Sequence, residues 1–196
     1  MSNFAIVLAA GASTRMGICK TSLPWCESKT LLTYQLEQWL LAGFTPLVVL
    51  GSHNAERKKD CPPGSLSVIN LHANTGKTSS ILTGLQAIPK DFQVLGISAI
   101  DQPRKVDIYK QLLQAHKDNS ALITAPIYQG KMGHPLLFGK RMRSHLENIC
   151  EETLGLRQVI KEFYPLINKV EFDNPAVIVD INTPEIYQTH LPKTSA

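Results

Sequence analysis

Apolar runs alternate along the chain with segments whose apolar residues recur at helical spacing. The run from Phe4 to Ala10 is apolar throughout and ends at Gly11, which predicts a strand buried on both faces. Residues 30–42 then place three leucines and a tryptophan on one helical face, with Thr30 as the expected N-cap and Gly43 just past the end. The first unit is therefore strand, loop and helix.

The same alternation continues towards the C-terminus. Buried strands are expected at 46–51 and 66–71, and further strands at 92–100, 121–126 and 176–179. Helices are expected at 79–88, from 106 past 113, at 141–149, at 155–163 and from 184. Residues 1–196 are thus expected to form one α/β domain, a three-layer α/β/α sandwich around a mostly parallel, Rossmann-like sheet. Ligands of such sheets bind beyond the carboxyl ends of the strands, where Gly11 and Asp101 lie.

Composition and charge narrow the class of protein. With 196 residues, 43% hydrophobic and 18% charged, the chain is too apolar to be disordered. Its apolar runs fall far short of the about 20 residues that cross a bilayer, and its start lacks a basic signal region, so we expect a cytoplasmic protein without a membrane contact. The formal charge of +4 suits a small anionic ligand. Because the basic clusters lack interleaved aromatic residues, we expect no nucleic-acid binding.

The loop after the first strand carries the sharpest chemical signal. Small residues there let a ligand approach the backbone, and exposed amides can bind phosphate oxygens. Arg15 and Lys20 add two cations, which we expect to lie outside the core. A dinucleotide fingerprint is excluded because Ser13 stands where its second glycine belongs. The loop predicts a polyanion site, and the alternative is a glycine-rich turn with two solvated cations. The other residues expected in the site are Leu8, Ala9, Ala10, Gly11 and Ser13.

A Gly-Lys-Thr sequence beginning at Gly76 resembles the end of a P-loop. The Walker A motif is excluded because Leu71 occupies the place of its first glycine. Thr78, Ser79 and Ser80 are instead expected to cap the helix that follows, and their hydroxyls and amides could also reach a nucleotide. Capping alone and nucleotide contact both remain open for this segment.

Two aspartates form the candidate metal site. Asp101 follows an apolar strand, and Asp180 is expected to end the strand at 176–179 in the same way. Two carboxylates at one edge of a sheet could hold Mg²⁺, which takes few protein oxygens and keeps water and phosphate ligands. Either aspartate alone is more often a loop-starting residue, but together with the polyanion loop they favour a metal site.

Four motifs in this order carry a family resemblance: the opening loop, Asp101-Gln102-Pro103, Gly133-His134-Pro135 and residues 180–185. They resemble the molybdenum cofactor cytidylyltransferase branch of the molybdopterin nucleotidyltransferase-like proteins, over residues 4–187. The resemblance implies a glycosyltransferase A-like sheet and an opening loop that wraps the triphosphate of a nucleotide. It implies that Asp101 and Asp180 bind Mg²⁺. It also implies that a segment with glycine and serine residues lies near the base and ribose of the nucleotide. The implied catalytic residues are Arg15, Lys20 and Asp101, and the implied base and ribose contacts are Gly76, Ser79 and Ser80.

The activity implied by the resemblance is transfer of CMP from CTP, or another nucleotide from its triphosphate, to the phosphate of molybdopterin or its metal-loaded form. Pyrophosphate is released, and a client molybdoenzyme is a further expected partner. His134 could bind the pterin or its phosphate, or merely hold its turn. Thr153 replaces the aspartate of the family's Gly-Asp-x-Gly-x-Arg motif. A different phosphorylated acceptor, such as a sugar phosphate, therefore stays open. A non-catalytic carrier that holds the pterin cofactor is a separate alternative.

Overall fold

The computed structural model describes residues 2–12, 16–26 and 28–192. Within these residues the strands are β1 Ser2–Leu8, β2 Pro24–Cys26, β3 Lys29–Thr30, β4 Thr45–Gly51, β5 Leu66–Asn70, β6 Phe92–Ala99, β7 Ile123–Tyr128, β8 Lys131–Met132, β9 Leu136–Gly139 and β10 Ile167–Glu171. The α-helices are α1 Leu31–Leu41, α2 Lys77–Ala87, α3 Val106–Asp118, α4 Arg143–Glu147, α5 Leu156–Glu162 and α6 Pro184–His190. None of the helices in these ranges is both long and apolar enough to cross a membrane.

The main sheet has the strand order β10-β7-β9-β6-β1-β4-β5, with β8 paired to β7. The pairs β1–β4, β1–β6, β4–β5 and β7–β10 are parallel, whereas β9 runs antiparallel to both of its neighbours. Strands β2 and β3 form a small separate ribbon. The mostly parallel sheet predicted from the apolar runs is therefore confirmed.

Strand β1 shows how the layers arise. Successive side chains of a strand point to opposite faces, and Ala5 and Val7 pack in a core with α1 and α3. Phe4 and Ile6 pack in a second core with α2, α4 and α5. Because both faces of the sheet are covered by helices, the fold is the predicted three-layer α/β/α sandwich.

The first helix begins where its cap predicts. The Thr30 side chain accepts a hydrogen bond from the Thr33 amide, and α1 starts at Leu31. Trp39, on its buried face, stacks on Tyr109 of α3 with ring centroids 3.9 Å apart. The two helices on this face are thus joined through aromatic packing.

Two predicted strands need correction. The segment at 66–71 was expected to be buried, but β5 is the edge strand of the sheet, and its Leu66 and Ile69 are 42% and 39% exposed. Residues 176–179 are not a strand: a 3-10 helix spans Pro175–Ile178. The Asn174 side chain accepts from the Ala176 amide and proline fills the first turn, which is a helix start rather than a strand.

Candidate functional site

A cavity of about 340 Å³ opens at the carboxyl ends of β1 and β6. The two strands run parallel and end side by side, with Leu8 opposite Ala99. The chain continues from each end into the cavity wall, through Ala10 and Gly11 on one side and through Asp101 on the other. This is the strand-end location that the sequence predicts for a ligand.

Lys20 and Asp101 form an ion pair in this wall. A short 3-10 turn, Lys20–Ser22, carries the lysine, whose Nζ lies 2.8 Å from Asp101 Oδ2 and 2.9 Å from Asn182 Oδ1. Lys20 is only 8% exposed, so the expectation that this cation lies outside the core is wrong. The lysine is held inside because two oxygens from distant parts of the chain compensate its charge.

Asp180 lines the same cavity, although no strand leads to it. The Ile181 amide donates to the Asp101 carbonyl at 2.7 Å, which joins the two aspartate segments. No group of three or more histidine, cysteine, aspartate or glutamate side chains placed to hold a metal occurs within residues 2–12, 16–26 and 28–192. Two carboxylates beside an open cavity nevertheless fit Mg²⁺, because this ion commonly takes one or two carboxylates and completes its shell with water and phosphate.

The N-terminus of α2 forms the facing wall, with Gly76, Lys77 and Ser80. The helix starts at Lys77, and the residue at its N-cap position, Gly76, has φ +114, a conformation that favours glycine. The prediction that the hydroxyls at 78–80 cap the helix is wrong. The Thr78 amide instead donates to the Glu151 carboxylate at 3.0 Å.

The remaining residues of the predicted nucleotide site fall in different places. Ser79 is outside the cavity wall, and its hydroxyl donates to the carbonyls of His72 and Gly76. Ala9 lies behind the wall, where its amide donates to Val49 and its carbonyl accepts from Asn54. Ser13 and Arg15 lie outside the described residues.

A second cavity of about 540 Å³ shares Gly76, Lys77 and Gln102 with the first and extends to His134 and Arg157. It continues in turn into a mostly apolar cavity of about 560 Å³, which also contacts His134 and Arg157. Burial lowers the pKa of His134, which favours its neutral imidazole. Next to the first cavity there is thus room for a second substrate with an apolar part.

Arg104 is a buried residue that the motifs do not point to. Its guanidinium donates to the carbonyls of Pro103, His134 and Val177. Burial lowers its pKa to about 10, which leaves it charged at neutral pH. Two residues next to or within the motifs were not predicted to belong to the site. Arg104 directly follows Asp-Gln-Pro, and Asn182 lies within the last motif.

A molybdenum cofactor cytidylyltransferase of Escherichia coli K12 is 26% identical over 194 residues, covering 94% of this chain and 93% of its own. A nicotine blue oxidoreductase of Paenarthrobacter nicotinovorans is 24% identical over 192 residues, covering 92% of each chain. Both relatives are similar to nearly the whole chain, and their names describe different activities.

Solved structures share the fold. A nucleotidyl transferase of Methanothermobacter thermautotroptrophicus superposes with a TM-score of 0.80 at 20% identity, covering 97% of this chain and 96% of that one. Rv0371c of Mycobacterium tuberculosis H37Rv, solved as a complex with manganese, superposes with a TM-score of 0.75 at 19% identity, covering 97% and 98%. The family model described as the MobA-like NTP transferase domain matches residues 5–168. The chain therefore belongs to the MobA-like NTP transferase domain family.

Proposed function

We propose that the protein, acting as one domain over residues 1–196, is a Mg²⁺-dependent cytidylyltransferase. It transfers CMP from CTP to the phosphate of molybdopterin or its metal-loaded form and releases pyrophosphate. The observation that carries the proposal is the convergence of Asp101, Asp180 and Lys20 on one cavity at the strand ends. The cytidylyltransferase of E. coli, similar over nearly the full length, supports the choice of base and acceptor.

The reaction is a displacement at phosphorus. An oxygen of the acceptor phosphate forms a bond to the α-phosphorus of CTP, and the bond from that phosphorus to the bridging oxygen breaks. The electron pair leaves with pyrophosphate. Because the attacking phosphate is already ionised near neutral pH, no general base is needed. The protein's task is to hold two mutually repelling anions in line and to counter the charge that grows on the leaving group.

The residues of the first cavity divide this task. Asp101 and Asp180 would hold Mg²⁺, which supplies positive charge at the phosphates when bound. Lys20 contributes a fixed cation on the same wall. Lys77 and the amide end of α2 add positive charge from the facing wall, next to Gly76 and Ser80, where we place the ribose and base. The open surface at Gly11, where an added Cβ would meet nothing within 4 Å, leaves space for the triphosphate.

The acceptor belongs in the second cavity. His134 and Arg157 line both this cavity and its apolar extension, so one end of the acceptor meets polar groups and the other meets side chains such as Leu136 and Leu156. A pterin phosphate has a charged end and a flat ring, which match these two environments. A sugar phosphate would leave several hydroxyls against apolar side chains, where unpaired polar groups are destabilising.

Nucleotide and acceptor panels test the proposal. Binding of CTP, GTP and ATP is titrated with Mg²⁺, and pyrophosphate release is then measured with molybdopterin, its metal-loaded form and a set of sugar phosphates. We expect CTP to bind most tightly and pyrophosphate to appear only with the pterin acceptors. Release with a sugar phosphate would identify another acceptor, and binding of CTP and cofactor without pyrophosphate would identify a carrier. Either result would overturn the proposal.

A further inference from the structure

Arg104 carries a charge inside the protein, and none of the ion pairs among residues 2–12, 16–26 and 28–192 involves it. It is 2% exposed, and its Nε donates to the His134 carbonyl at 3.1 Å. Its two terminal nitrogens donate to the carbonyls of Pro103 and Val177, each at 3.0 Å. Burial of a charged group is costly unless fixed acceptors compensate it. The three carbonyls are such acceptors, and they lie in three different segments of the chain.

Each carbonyl belongs to a segment that carries a residue of the site. Pro103 lies in the loop of Asp101, His134 is itself a wall residue of the second cavity, and Val177 lies in the 3-10 helix before Asp180. The segments also touch directly. The His134 amide donates to the Val177 carbonyl at 2.9 Å, and the Ile181 amide donates to the Asp101 carbonyl at 2.7 Å. Arg104 lies at the junction where the three segments meet.

The packing at this junction leaves little freedom. Gly133 approaches the 3-10 helix so closely that an added Cβ would lie 2.1 Å from the Val177 carbonyl oxygen. The guanidinium is planar and offers five donors in fixed directions, whereas an ammonium is a single point that cannot reach all three carbonyls in this way. The spacing of the three segments therefore depends on the fork of Arg104.

We infer that Arg104 is a positioning residue, which fixes the loops of Asp101, Asp180 and His134 relative to one another and so sets the geometry of the metal and acceptor sites. This inference rests on the function proposed above. The carboxylates of Asp101 and Asp180 lie near enough to favour the charged form of the guanidinium. Arg104 acts through these residues and touches no substrate itself.

Charge and geometry predict opposite effects on metal binding, which makes the inference testable. Removing a positive charge near two carboxylates would by itself strengthen their binding of a cation. The variant Arg104→Lys keeps the charge and removes the fork. If this variant weakens metal binding, the cause is the lost geometry rather than a changed field.

Arg143 provides a matched control. Its guanidinium also donates to backbone carbonyls, those of Leu85 and Pro89, and it contacts Glu147 on its own helix. None of these residues lies in the wall of the first or second cavity. The variant Arg143→Lys therefore reports the effect of the same substitution on stability alone.

The experiment measures Mn²⁺ affinity by electron paramagnetic resonance at saturating CTP, with the folded fraction of each variant fixed by circular dichroism. We expect Arg104→Lys to bind Mn²⁺ about tenfold more weakly, the range seen when groups that orient metal ligands are changed. Arg143→Lys should bind like the wild type. Equal affinities in both variants would overturn the inference while leaving the proposed function intact.

A measurement on the wild type covers the case in which Arg104→Lys does not fold. The Nε–H signals of ¹⁵N-labelled arginines are followed while Mg²⁺ and CTP are added. We expect the Arg104 signal to shift and that of Arg143 to stay in place, and equal responses would contradict the inference. A wild-type protein that binds neither Mn²⁺ nor CTP would overturn the proposed function and this inference together.

Discussion

The two halves of the sheet place their functional groups in different ways. Strands β1, β4, β5 and β6 are parallel neighbours, and the first cavity opens where β1 and β6 end. In the other half the antiparallel β9 separates β6 from β7, and the buried Thr124 hydroxyl of β7 lies 2.8 Å from His116 Nδ1. The parallel half thus brings the segments that follow β1 and β6 together by a general property of its topology. The mixed half depends on particular polar contacts.

The largest loss of stability is expected at Lys20, which lies in the turn Lys20–Ser22 and reaches the cavity of the parallel half through two side-chain contacts. In the ion pair between Lys20 and Asp101, the lysine side chain is 10% exposed and the aspartate side chain 19%. Lys20→Ala removes the cation that both Asp101 and Asn182 contact. Removing one partner of a buried ion pair destabilises a protein by about 4 kcal/mol. Urea denaturation measures the loss.

The control is Lys29→Ala, which removes an ion pair with Glu37 whose side chains are 37% and 28% exposed. Ion pairs as exposed as this one contribute about 0–1 kcal/mol. If both lysine variants lost the same stability, Lys20 would have no special structural role at the site.

The second prediction concerns Asp101. Asp101→Ala removes a candidate metal ligand and should lower the rate of CMP transfer about a hundredfold, the effect of losing one strong electrostatic group. Initial rates of pyrophosphate release at saturating Mg²⁺ and CTP measure this. Asp118→Ala, at the exposed end of α3, should leave the rate unchanged. Near-wild-type turnover of Asp101→Ala would exclude the metal-binding role.

The strands and their carboxyl ends could be predicted where an apolar run in the sequence forms a parallel strand of the sheet. The apolar run of β1 predicts its strand, and Gly11 after β1 and Asp101 after β6 lie at the strand ends where a ligand is expected. Asp180 reached the same wall although its predicted strand is a 3-10 helix, and Pro175 and Asn174 were the local signals for that helix. The strand-end argument for Asp180 is therefore wrong, and its metal role stays a prediction from the family resemblance.

Contacts between distant residues were the part that the sequence could not supply. The burial of Lys20 depends on Asn182, which is 162 residues away. Strand β9 has only four residues, too few to show a pattern, and its pairing with β6 and β7 is set by tertiary packing. The role of Arg104 needs three carbonyls that no spacing in the chain brings together.

His116 of α3 is a buried histidine whose ring contacts the Thr124 hydroxyl of β7. Burial lowers the pKa of His116 to about 4, against 6.5 for an ordinary histidine. Between pH 6.5 and pH 4, His116 therefore binds a proton in the unfolded chain but not in the folded protein. Stability is complete above about pH 6.5 and falls as the pH drops, by about 2 kcal/mol from pH 7 to pH 5.

Urea denaturation at pH 7 and pH 5 measures this loss of stability. In His116→Gln the difference in stability between the two pH values should be smaller by about 2 kcal/mol. His190→Gln, at the exposed end of α6, should leave the pH dependence as in the wild type. A pH dependence that is unchanged in His116→Gln would show that the buried imidazole is not its source.

The smallest predicted effect lies where the two halves meet. Glu151, in the 3-10 turn Glu151–Thr153, accepts a hydrogen bond from the Thr78 amide at the start of α2. Glu151→Gln removes a negative charge from a helix N-terminus and should lower stability by about 1 kcal/mol. Thermal unfolding measures it, with the exposed neighbour Glu152→Gln as control. An equal effect of both variants would mean that the contact with α2 contributes nothing.

In the proposed function, Asp101 and Asp180 jointly hold the divalent ion of a nucleoside triphosphate. A crystal structure with Mn²⁺ and CTP, in which the anomalous signal locates the metal, tests this arrangement. We expect one manganese peak bound by both carboxylates, with the triphosphate between them and the start of α2. A peak that touches neither aspartate, or a triphosphate outside the first cavity, would contradict it.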